Sequence, residues 1–517
     1  MSEKEYIVSL KRGVDASNFK AEMTQSSGDA NIPARSVDIA NERLLSTRNT
    51  HYSLTAEEAE QLKNDSRVAG VNIPPEDDDT KEIGFNATQS GDFKKTTADS
   101  GNHLNWGMRR CIESTNIYGT SSNNPTGDYT YNLDGTGVDV VIQDSGIQAD
   151  HPEFNDASGT SRVQQIDWYT ASGLSGTQSA NHYRDYDGHG THCAGTATGL
   201  LYGWAKNARI YSVKVSGLEG SGDSGNGISV TNCFDVIKGW HNNKSVDPAT
   251  GYKRPTIVNM SWGYGSYSHN VTDVIYRGSS VSSGWSGIGR DTSYGIVGSY
   301  RSNTFGYRVV ERISSVDTDV QEMIDAGIHV CCAAGNSYQK VDIPSGADYD
   351  NRFVSSTFGT VYYHRGGSPF DDEAMIVGNV DSSTHSGGLE QKNTSSENGP
   401  GVDIYAPGTN IISSNSTTTS YTSGTYPSDS NFKICNISGT SMASPQVCGV
   451  GALILQANPH MTPAELKNFF VTNSVSNMLY TTGLDNDYSV ERSIKGGNNR
   501  FLFNPLSSQF KYRITNS

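Results

Sequence analysis

From residue 103 to the C-terminus, short apolar segments alternate with segments of helical character. Strands are predicted at VDVVIQ (138–143), RIYSVKV (209–215), TIVNM (256–260), HVCCAA (329–334) and AMIVGNV (374–380). Helices are predicted at about 189–200, 226–243, 316–326 and 441–456. Strands that are apolar along their whole length are buried on both faces, and helices between them supply the cover. The pattern therefore predicts an α/β fold with a doubly wound, mostly parallel sheet.

Residues 1–75 predict a separate, small α+β domain of ferredoxin-like type. EYIVSLK and RVAGVNI are typical of strands, residues 14–24 of a short amphipathic helix, and Thr55 caps a second helix. The polar stretch 76–101 starts with four acidic residues and has almost no apolar periodicity, so it predicts a solvated linker. Residues 102–517 form the second domain, in which 264–315 and 345–372 are predicted surface insertions rich in Gly, Ser and Tyr.

The charge and cysteine content disfavour several classes of protein. With 39 Lys and Arg against 55 Asp and Glu, the net charge is −16. This charge disfavours a nucleic-acid-binding protein, because contacts with phosphates need clustered basic residues. Neither an apolar run of membrane-spanning length nor an apolar signal segment is found. We therefore expect no membrane contact, and a location inside a cell or in a virus particle rather than classical secretion. The 7 cysteines form no C-x-x-C pair and indicate buried free thiols.

Three motifs place a reactive side chain where a predicted strand ends or a predicted helix begins. Asp144 follows VDVVIQ directly, and His189 lies in DGHGTHCAG at a helix start. Ser441 lies in SGTSMASP, just ahead of the apolar segment VCGVGALILQ. Strand carboxyl ends and helix amino ends meet at one edge of a doubly wound sheet. We therefore expect these three side chains to converge.

The chemistry of these residue types is complementary. A serine hydroxyl becomes a nucleophile when a neighbouring base takes its proton, and the pKa of histidine lies near neutrality. A buried Asp144 orients the imidazole of His189 and stabilises the imidazolium. Asn336, in AAGNS, offers an amide donor that can bind an oxyanion together with the Ser441 N–H. The predicted reaction is acyl transfer through Ser441.

The same stretches carry a resemblance to a known family. DSGIQADHPEF, GHGTHCAGTATG, YGWAKNARIYSVKV, NMSWG, AAGNS and SGTSMASPQVCG resemble the subtilisin-like serine proteases, or subtilases, and are similar to the proteinase K branch. The chain order Asp, His, Ser is that of subtilisin. NHLNWGMRR (102–110) is similar to the start of a mature subtilase domain. Over residues 103–507, the resemblance implies a serine endopeptidase that acts on polypeptides through Asp144, His189, Ser441 and Asn336.

The resemblance also implies a binding groove and a zymogen. A substrate pairs there as an added strand, against two segments, Gly220-Ser221-Gly222 and Ser261-Trp262-Gly263. The first domain is similar to the family's inhibitory propeptide, which implies that it is an intramolecular inhibitor of its own catalytic domain. Self-cleavage is then expected between residues 74 and 105.

The family resemblance implies no required cofactor and no metal at the reacting groups. Only Leu200 and Leu201 separate ATG from YGWAKN, so the loop of the strong calcium site in secreted subtilisins is expected to be absent. Glu153 stands where those enzymes place a calcium-binding Asp, and calcium elsewhere stays open. Gln446 follows Pro445 where the family usually has His, and we expect little effect on activity.

Several alternatives stay open on the sequence alone. Cys193 and His192 are expected to be buried packing residues, and Trp262 either walls the groove or fills core space. A binding or structural protein on an inactive subtilase scaffold is the competing class, which the intact triad disfavours. Esterase or amidase activity shares the triad but does not need the groove motifs.

Overall fold

The structure is a computed structural model that divides into two compact units. The small unit is Met1–Asn86 with Lys511–Ser517, and the large unit is Ala87–Phe510. The described residues are 3–26, 31–41, 46, 48–74, 87–95, 98–100, 102–120, 126–178, 183–215, 229–248, 251–284, 287, 289–302, 304–419, 421–481 and 488–506.

The small unit is an α+β structure with its own core. Its elements are β1 (Lys4–Leu10), α1 (Ala16–Gln25), β2 (Ile39–Asn41), β3 (Asn49–Leu54), α2 (Ala56–Lys63) and β4 (Val68–Asn72). The strands form an antiparallel sheet in the order β2-β3-β1-β4, which is a ferredoxin-like arrangement. A capping box starts α2, because Thr55 and Glu58 each accept the other's backbone N–H. Val8, Phe19 and Leu62 pack in the core.

The large unit opens with a two-stranded sheet and the first central strands. Its first elements are β5 (Ala87–Asp92), α3 (Trp106–Arg110), β6 (Thr126–Tyr131), β7 (Asp139–Asp144), β8 (Val163–Gln164), α4 (Trp168–Ser172), α5 (His189–Thr198), β9 (Arg209–Lys214), α6 (Val230–Asn242) and β10 (Thr256–Met260). Strands β7, β9 and β10 lie at the predicted apolar runs, and α5 and α6 at two predicted helices.

The middle of the chain adds a further central strand and a smaller β structure. These elements are β11 (Gly265–Ser268), β12 (Val271–Tyr276), β13 (Ser279–Ser280), β14 (Tyr307–Val310), α7 (Ser314–Asp325), β15 (His329–Ala333), β16 (Arg352–Ser355) and β17 (Gly359–Tyr362). Strand β11 pairs with β14, and β13, β12, β16 and β17 form a second antiparallel sheet. Residues 264–310 and 351–363 are called the inserted β region below.

The last part of the chain completes the sheet and supplies its central helix. Its elements are β18 (Met375–Val380), β19 (Ile404–Pro407), β20 (Ile411–Asn415), β21 (Gly424–Thr425), β22 (Lys433–Ile437), α8 (Thr440–Ala457), α9 (Pro463–Asn473), β23 (Val475–Ser476) and β24 (Arg500–Phe501). Helix α8 is buried from Met442 to Leu455, as expected of a helix that is apolar on all sides. Within the described part of the chain, none of the helices has both the length and the apolar character to cross a membrane.

Over the residues that the structure describes, the central sheet has nine strands in the order β23-β24-β19-β18-β15-β10-β7-β9-β8. Every neighbouring pair is parallel except β23 and β24. The predicted doubly wound, mostly parallel α/β fold is therefore confirmed. Adjacent strands β7, β10 and β15 all end at the same edge of the sheet.

Residues 87–95 of the predicted linker 76–101 are packed into the large unit, which corrects the expectation of a solvated segment there. Strand β5 pairs with β6, Phe93 is fully buried, and buried Lys95 lies 3.5 Å from the Glu390 carboxylate. The segment ATQSGD has no apolar alternation, so its sequence does not predict a strand. It forms one because its backbone pairs with β6, about 40 residues further along the chain. Residues 75–86 lie outside the described part.

The two predicted surface insertions are also corrected, because together they form one region with its own core. Strand β12 from the first insertion pairs with β16 from the second. Phe353 stacks on Tyr307 and Tyr363, with ring centroids 4.8 and 4.6 Å away. Short strands of Tyr, Ser and Gly carry too weak a pattern to predict this, and the packing of aromatic rings holds them together.

Candidate active site

The carboxyl edge of the central sheet gathers the residues singled out by the sequence. Asp144 is the last residue of β7, Ser261 follows β10, and Asn336 follows β15 by three positions. Helices α5 and α8 pack against each other and begin at the same edge, with His189 and Ser441 in their first turns. Parallel strand ends and helix starts meet here as the fold requires.

Asp144 and His189 form a hydrogen-bonded pair. His189 Nδ1 donates to Asp144 Oδ1 over 2.8 Å, and the Ser145 N–H donates to the same oxygen over 2.7 Å. Asp144 is buried, whereas the side chain of His189 remains 21% exposed. The bond fixes the proton on Nδ1 and leaves Nε2 as the nitrogen that can accept a proton.

A second buried carboxylate, Asp185, supports this pair and was missed by the sequence analysis. It accepts hydrogen bonds from Ser145 Oγ at 2.9 Å, Gly188 N at 2.8 Å and Thr191 N at 2.9 Å. Ser145 Oγ in turn accepts from Gly190 N at 2.8 Å. Asp185 thus ties the end of β7 to the first turn of α5. An acidic residue just ahead of a predicted helix start was the available signal.

Ser441 lies in the first turn of α8, beside Ser261 and Cys193. Its Oγ donates to the Ser261 carbonyl at 3.0 Å rather than to a histidine. Its own carbonyl accepts from Ser261 Oγ at 2.9 Å and from Cys193 Sγ at 3.4 Å. Cys193 Sγ is also 3.9 Å from His189 Nδ1. Ser441 and His189 therefore flank one buried thiol, which brings the three predicted residues into one site.

Asn336 is held against the start of α8 by its side-chain oxygen. Asn336 Oδ1 accepts from Thr440 N at 2.9 Å and from Thr440 Oγ1 at 3.1 Å. This anchor leaves the Nδ2 hydrogens of an exposed side chain available. The Ser441 N–H belongs to the first helical turn, where no intrahelical acceptor exists. Two donors at one helix start can bind an oxyanion.

A pocket of about 140 Å³ adjoins Ser441. One wall contains the three residues predicted for that side of the groove, Ser261, Trp262 and Gly263. Trp262 serves both of its alternative roles, since it lines the pocket and packs 6.2 Å from the ring of Phe234. The other predicted groove segment, Gly220-Ser221-Gly222, lies outside the described residues.

The two histidines of α5 have opposite electrostatic environments. Burial lowers the pKa of His189, but the adjacent Asp144 carboxylate outweighs it, and the net pKa lies well above the usual value. Burial lowers the pKa of His192 to about 3, and its Nε2 donates to the Ile411 carbonyl at 2.9 Å. Burial also raises the pKa of Cys193, which keeps the thiol neutral. His189 is therefore the more basic of the two histidines, and the pKa of His192 is too low for it to serve as the proton carrier near neutral pH.

Among the described residues, one cluster of side chains offers candidate metal ligands. Asp144, His189 and Cys193 present three ligand atoms within 4.8 Å of one another, but the first two are joined by their own hydrogen bond.

Glu153 stands at the position where the sequence resemblance places a calcium-binding residue, and its carboxylate oxygens accept hydrogen bonds from protein groups. Glu153 accepts from the Leu201 and Tyr202 N–H groups at 2.8 Å each, and the ammonium of Lys206 binds the carbonyls of Leu200 and Gly203 at 2.7 Å each. These residues do not fit a calcium ion, which prefers six to eight oxygen ligands.

Gln446 forms a buried hydrogen-bond network that was not predicted from the sequence. Its Oε1 accepts from Trp204 Nε1 at 2.7 Å and from Asn105 Nδ2 at 3.2 Å, and its Nε2 donates to Asn105 Oδ1 at 3.0 Å. The side chain is fully buried in α8. It joins the helix that carries Ser441 to the segment that precedes α3.

The chain is similar in sequence to known proteins. The family model of the subtilase family matches residues 135–498. An extracellular serine proteinase of Thermus sp. (strain Rt41A) is 28% identical over 359 residues, which cover 69% of this chain and 60% of that protein. Subtilisin-like protease 4 of Trichophyton rubrum is 28% identical over 490 residues, which cover 92% and 88%.

The matched part is less than two thirds of the length of the Thermus protein. Among solved structures, a cold adapted subtilisin-like serine proteinase aligns with a TM-score of 0.46 at 24% identity, over 77% of this chain and 97% of that one.

Proposed function

The chain belongs to the subtilase family, and from that premise we propose that it is a serine endopeptidase acting through an acyl-enzyme. The observation that carries the proposal is the 2.8 Å bond between His189 Nδ1 and Asp144 Oδ1, at the sheet edge that also holds Ser441 and Asn336. A histidine held in this tautomer has an unprotonated Nε2, which can act as a general base towards a nearby hydroxyl.

In the proposed mechanism, Ser441 Oγ leaves the Ser261 carbonyl and attacks the peptide carbonyl carbon while His189 Nε2 takes its proton. The hydrogen bond between a nucleophile and its general base is often long or not yet formed before substrate binds. The carbonyl oxygen becomes an oxyanion that accepts hydrogen bonds from Asn336 Nδ2 and the Ser441 N–H. His189 then gives the proton to the leaving amine, and water repeats the sequence to release the acid. Asp144 orients His189 and stabilises its imidazolium.

The small unit is proposed to be an inhibitory propeptide that the enzyme removes itself. It precedes the matched region and has its own core, as an independently folding inhibitor requires. Residues 87–95 pack into the large unit, with Phe93 fully buried, so we expect them to remain in the mature enzyme. Processing therefore removes about 74–86 residues, at the start of the range given by the sequence alone.

Mass spectrometry of the intact full chain beside Ser441→Ala tests both statements. The wild type is expected to lose its N-terminal segment over time, and the variant is expected to stay whole. A fluorophosphonate probe is expected to label wild type at Ser441 only. Identical trimming of both chains contradicts self-processing. An unlabelled, untrimmed wild type contradicts the activity itself and favours an inactive scaffold.

A further inference from the structure

At one end, the pocket beside Ser441 is lined by the inserted β region. Its lining includes Arg308 and Val310 of β14, together with Gly367 and Ser368. Hydrogen bonds tie this end to the wall that carries Trp262. The Tyr264 carbonyl accepts from the Glu311 N–H at 3.1 Å, and the Tyr264 N–H donates to the Ser368 carbonyl at 3.3 Å. The inserted region therefore builds part of the pocket.

Strand alternation explains how β14 serves two purposes. Tyr307 and Val309 are buried in the core of the inserted β region, while Arg308 is exposed and Val310 half-buried. Successive side chains of a strand point to opposite faces, so Arg308 and Val310 share the pocket face. Pairing with β11 places Gly265 opposite Val310, next to the Arg308 side chain. A Cβ at that glycine would lie 3.9 Å from Arg308 Nε.

The positive charge of Arg308 is left available. Among the described residues, no carboxylate lies within 4 Å of its guanidinium. The nearby carboxylate of Glu311 accepts from Ser266 Oγ at 2.6 Å. Under the pocket floor, Glu397 accepts from the Ser337 N–H at 3.2 Å, and burial raises its pKa to about 8. Burial thus favours the neutral form of Glu397, although Lys392 and Arg308 act in the opposite direction.

We infer that this pocket receives an acidic side chain, glutamate or aspartate, of the residue that precedes the cleaved bond, with Arg308 as the group that binds its carboxylate. The inference rests on the proposed function, because the acyl residue of a peptide attacked by Ser441 has its side chain next to this pocket. The aromatic wall at Trp262 contacts the methylene groups of such a side chain. Arginine suits the role, since its planar guanidinium donates two parallel hydrogen bonds to a carboxylate.

Peptide p-nitroanilides that differ only in the last residue, Glu, Gln, Leu or Lys, measure the preference. We expect kcat/KM for Glu to exceed that for its isostere Gln by about 10- to 100-fold, in line with a charge-assisted hydrogen bond at a partly exposed site. The ratio should fall with added salt, because screening weakens an exposed charge pair.

Two variants assign the preference to Arg308. Arg308→Gln should bring the Glu to Gln ratio to within about 3-fold of unity, and Arg308→Glu should favour Lys. Arg301→Gln is the matched control, because Arg301 lies in the same region but stacks on Phe305 at 4.5 Å. It should leave the ratio unchanged. A wild-type enzyme that prefers Leu or Lys, or an Arg308→Gln variant with an unaltered ratio, overturns the inference.

A binding measurement separates this inference from the proposed function. Product peptides ending in Glu should bind to the wild-type protein, after any self-processing is complete, more tightly than peptides ending in Gln, and Arg308→Gln should remove the difference. This measurement needs no turnover. Equal binding of the two peptides contradicts the acidic pocket even in an active enzyme. A clear difference without any hydrolysis or labelling by wild type contradicts only the protease activity.

Discussion

The carboxyl edge of the central sheet and the inserted β region meet at one pocket but are built in different ways. At the sheet edge, polar groups are held by buried hydrogen bonds, such as the network of Asp144, Ser145 and Asp185. The inserted region has an aromatic core of residues such as Phe353, and it presents the guanidinium of Arg308 to the pocket. The contrast indicates that bond cleavage and side-chain selection depend on separate parts of the chain.

The largest effect is expected from a substitution that disrupts the hydrogen bonds at the carboxyl edge of the central sheet and leaves the inserted β region unchanged. Asp144→Asn should lower kcat by about 10⁴-fold, because an amide no longer holds His189 with its proton on Nδ1. The preference for Glu over Gln should survive in the residual activity. Steady-state kinetics with the p-nitroanilide series measures both quantities. A variant that loses the preference together with kcat would contradict the separation.

The pH profile of the same variant gives a second test. His189 accepts a proton only when neutral, and the Asp144 carboxylate raises its pKa well above 6.5. Wild-type kcat/KM should therefore fall as the pH drops through that raised pKa, with the acid limb above pH 6.5. Without the carboxylate, burial lowers the pKa, so the limb of Asp144→Asn should move to lower pH. If the acid limb of Asp144→Asn lay at the same pH as that of the wild type, a group other than His189 would control the fall in kcat/KM.

A smaller effect is expected from the oxyanion donor. Asn336→Ala should lower kcat by about 10²- to 10³-fold with little change in KM, because the hydrogen bond strengthens only as charge develops on the oxygen. Loss through KM alone would instead assign Asn336 to substrate binding. Thr440→Val is the control, since it removes one anchor of Asn336 but keeps the amide.

The two regions also differ in how far the sequence predicts them. Asp144, His189 and Ser441 each adjoin an apolar strand or helix, so local patterns are enough to place them at one edge of the sheet. Arg308 has no such signal, because its direction depends on the register of β11 with β14. Asp185 acts through hydrogen bonds to backbone groups on neighbouring segments. Long-range pairing of polar strands, as for Ala87–Asp92, is set by the partner and not by local composition.

The smallest effect on chemistry is expected from the core of the inserted region. Phe353→Ala should destabilise this region by about 3–5 kcal/mol, because it leaves a cavity between Tyr307 and Tyr363. Looser packing under β14 should reduce the Glu to Gln ratio several-fold. The rate at which a small fluorophosphonate labels Ser441 should stay within about 2-fold of wild type.

Phe358→Ala is the matched control for this change, since Phe358 lies in the same region but is 51% exposed. It should alter neither thermal stability nor selectivity, because a mainly solvated ring leaves no cavity when it is removed. If Phe353→Ala slowed labelling of Ser441 as strongly as it reduced selectivity, the inserted region would be holding the reacting groups in place as well. The inserted β region would then stabilise both the selectivity pocket and the reacting groups, and Arg308 would not be separable from the catalytic site.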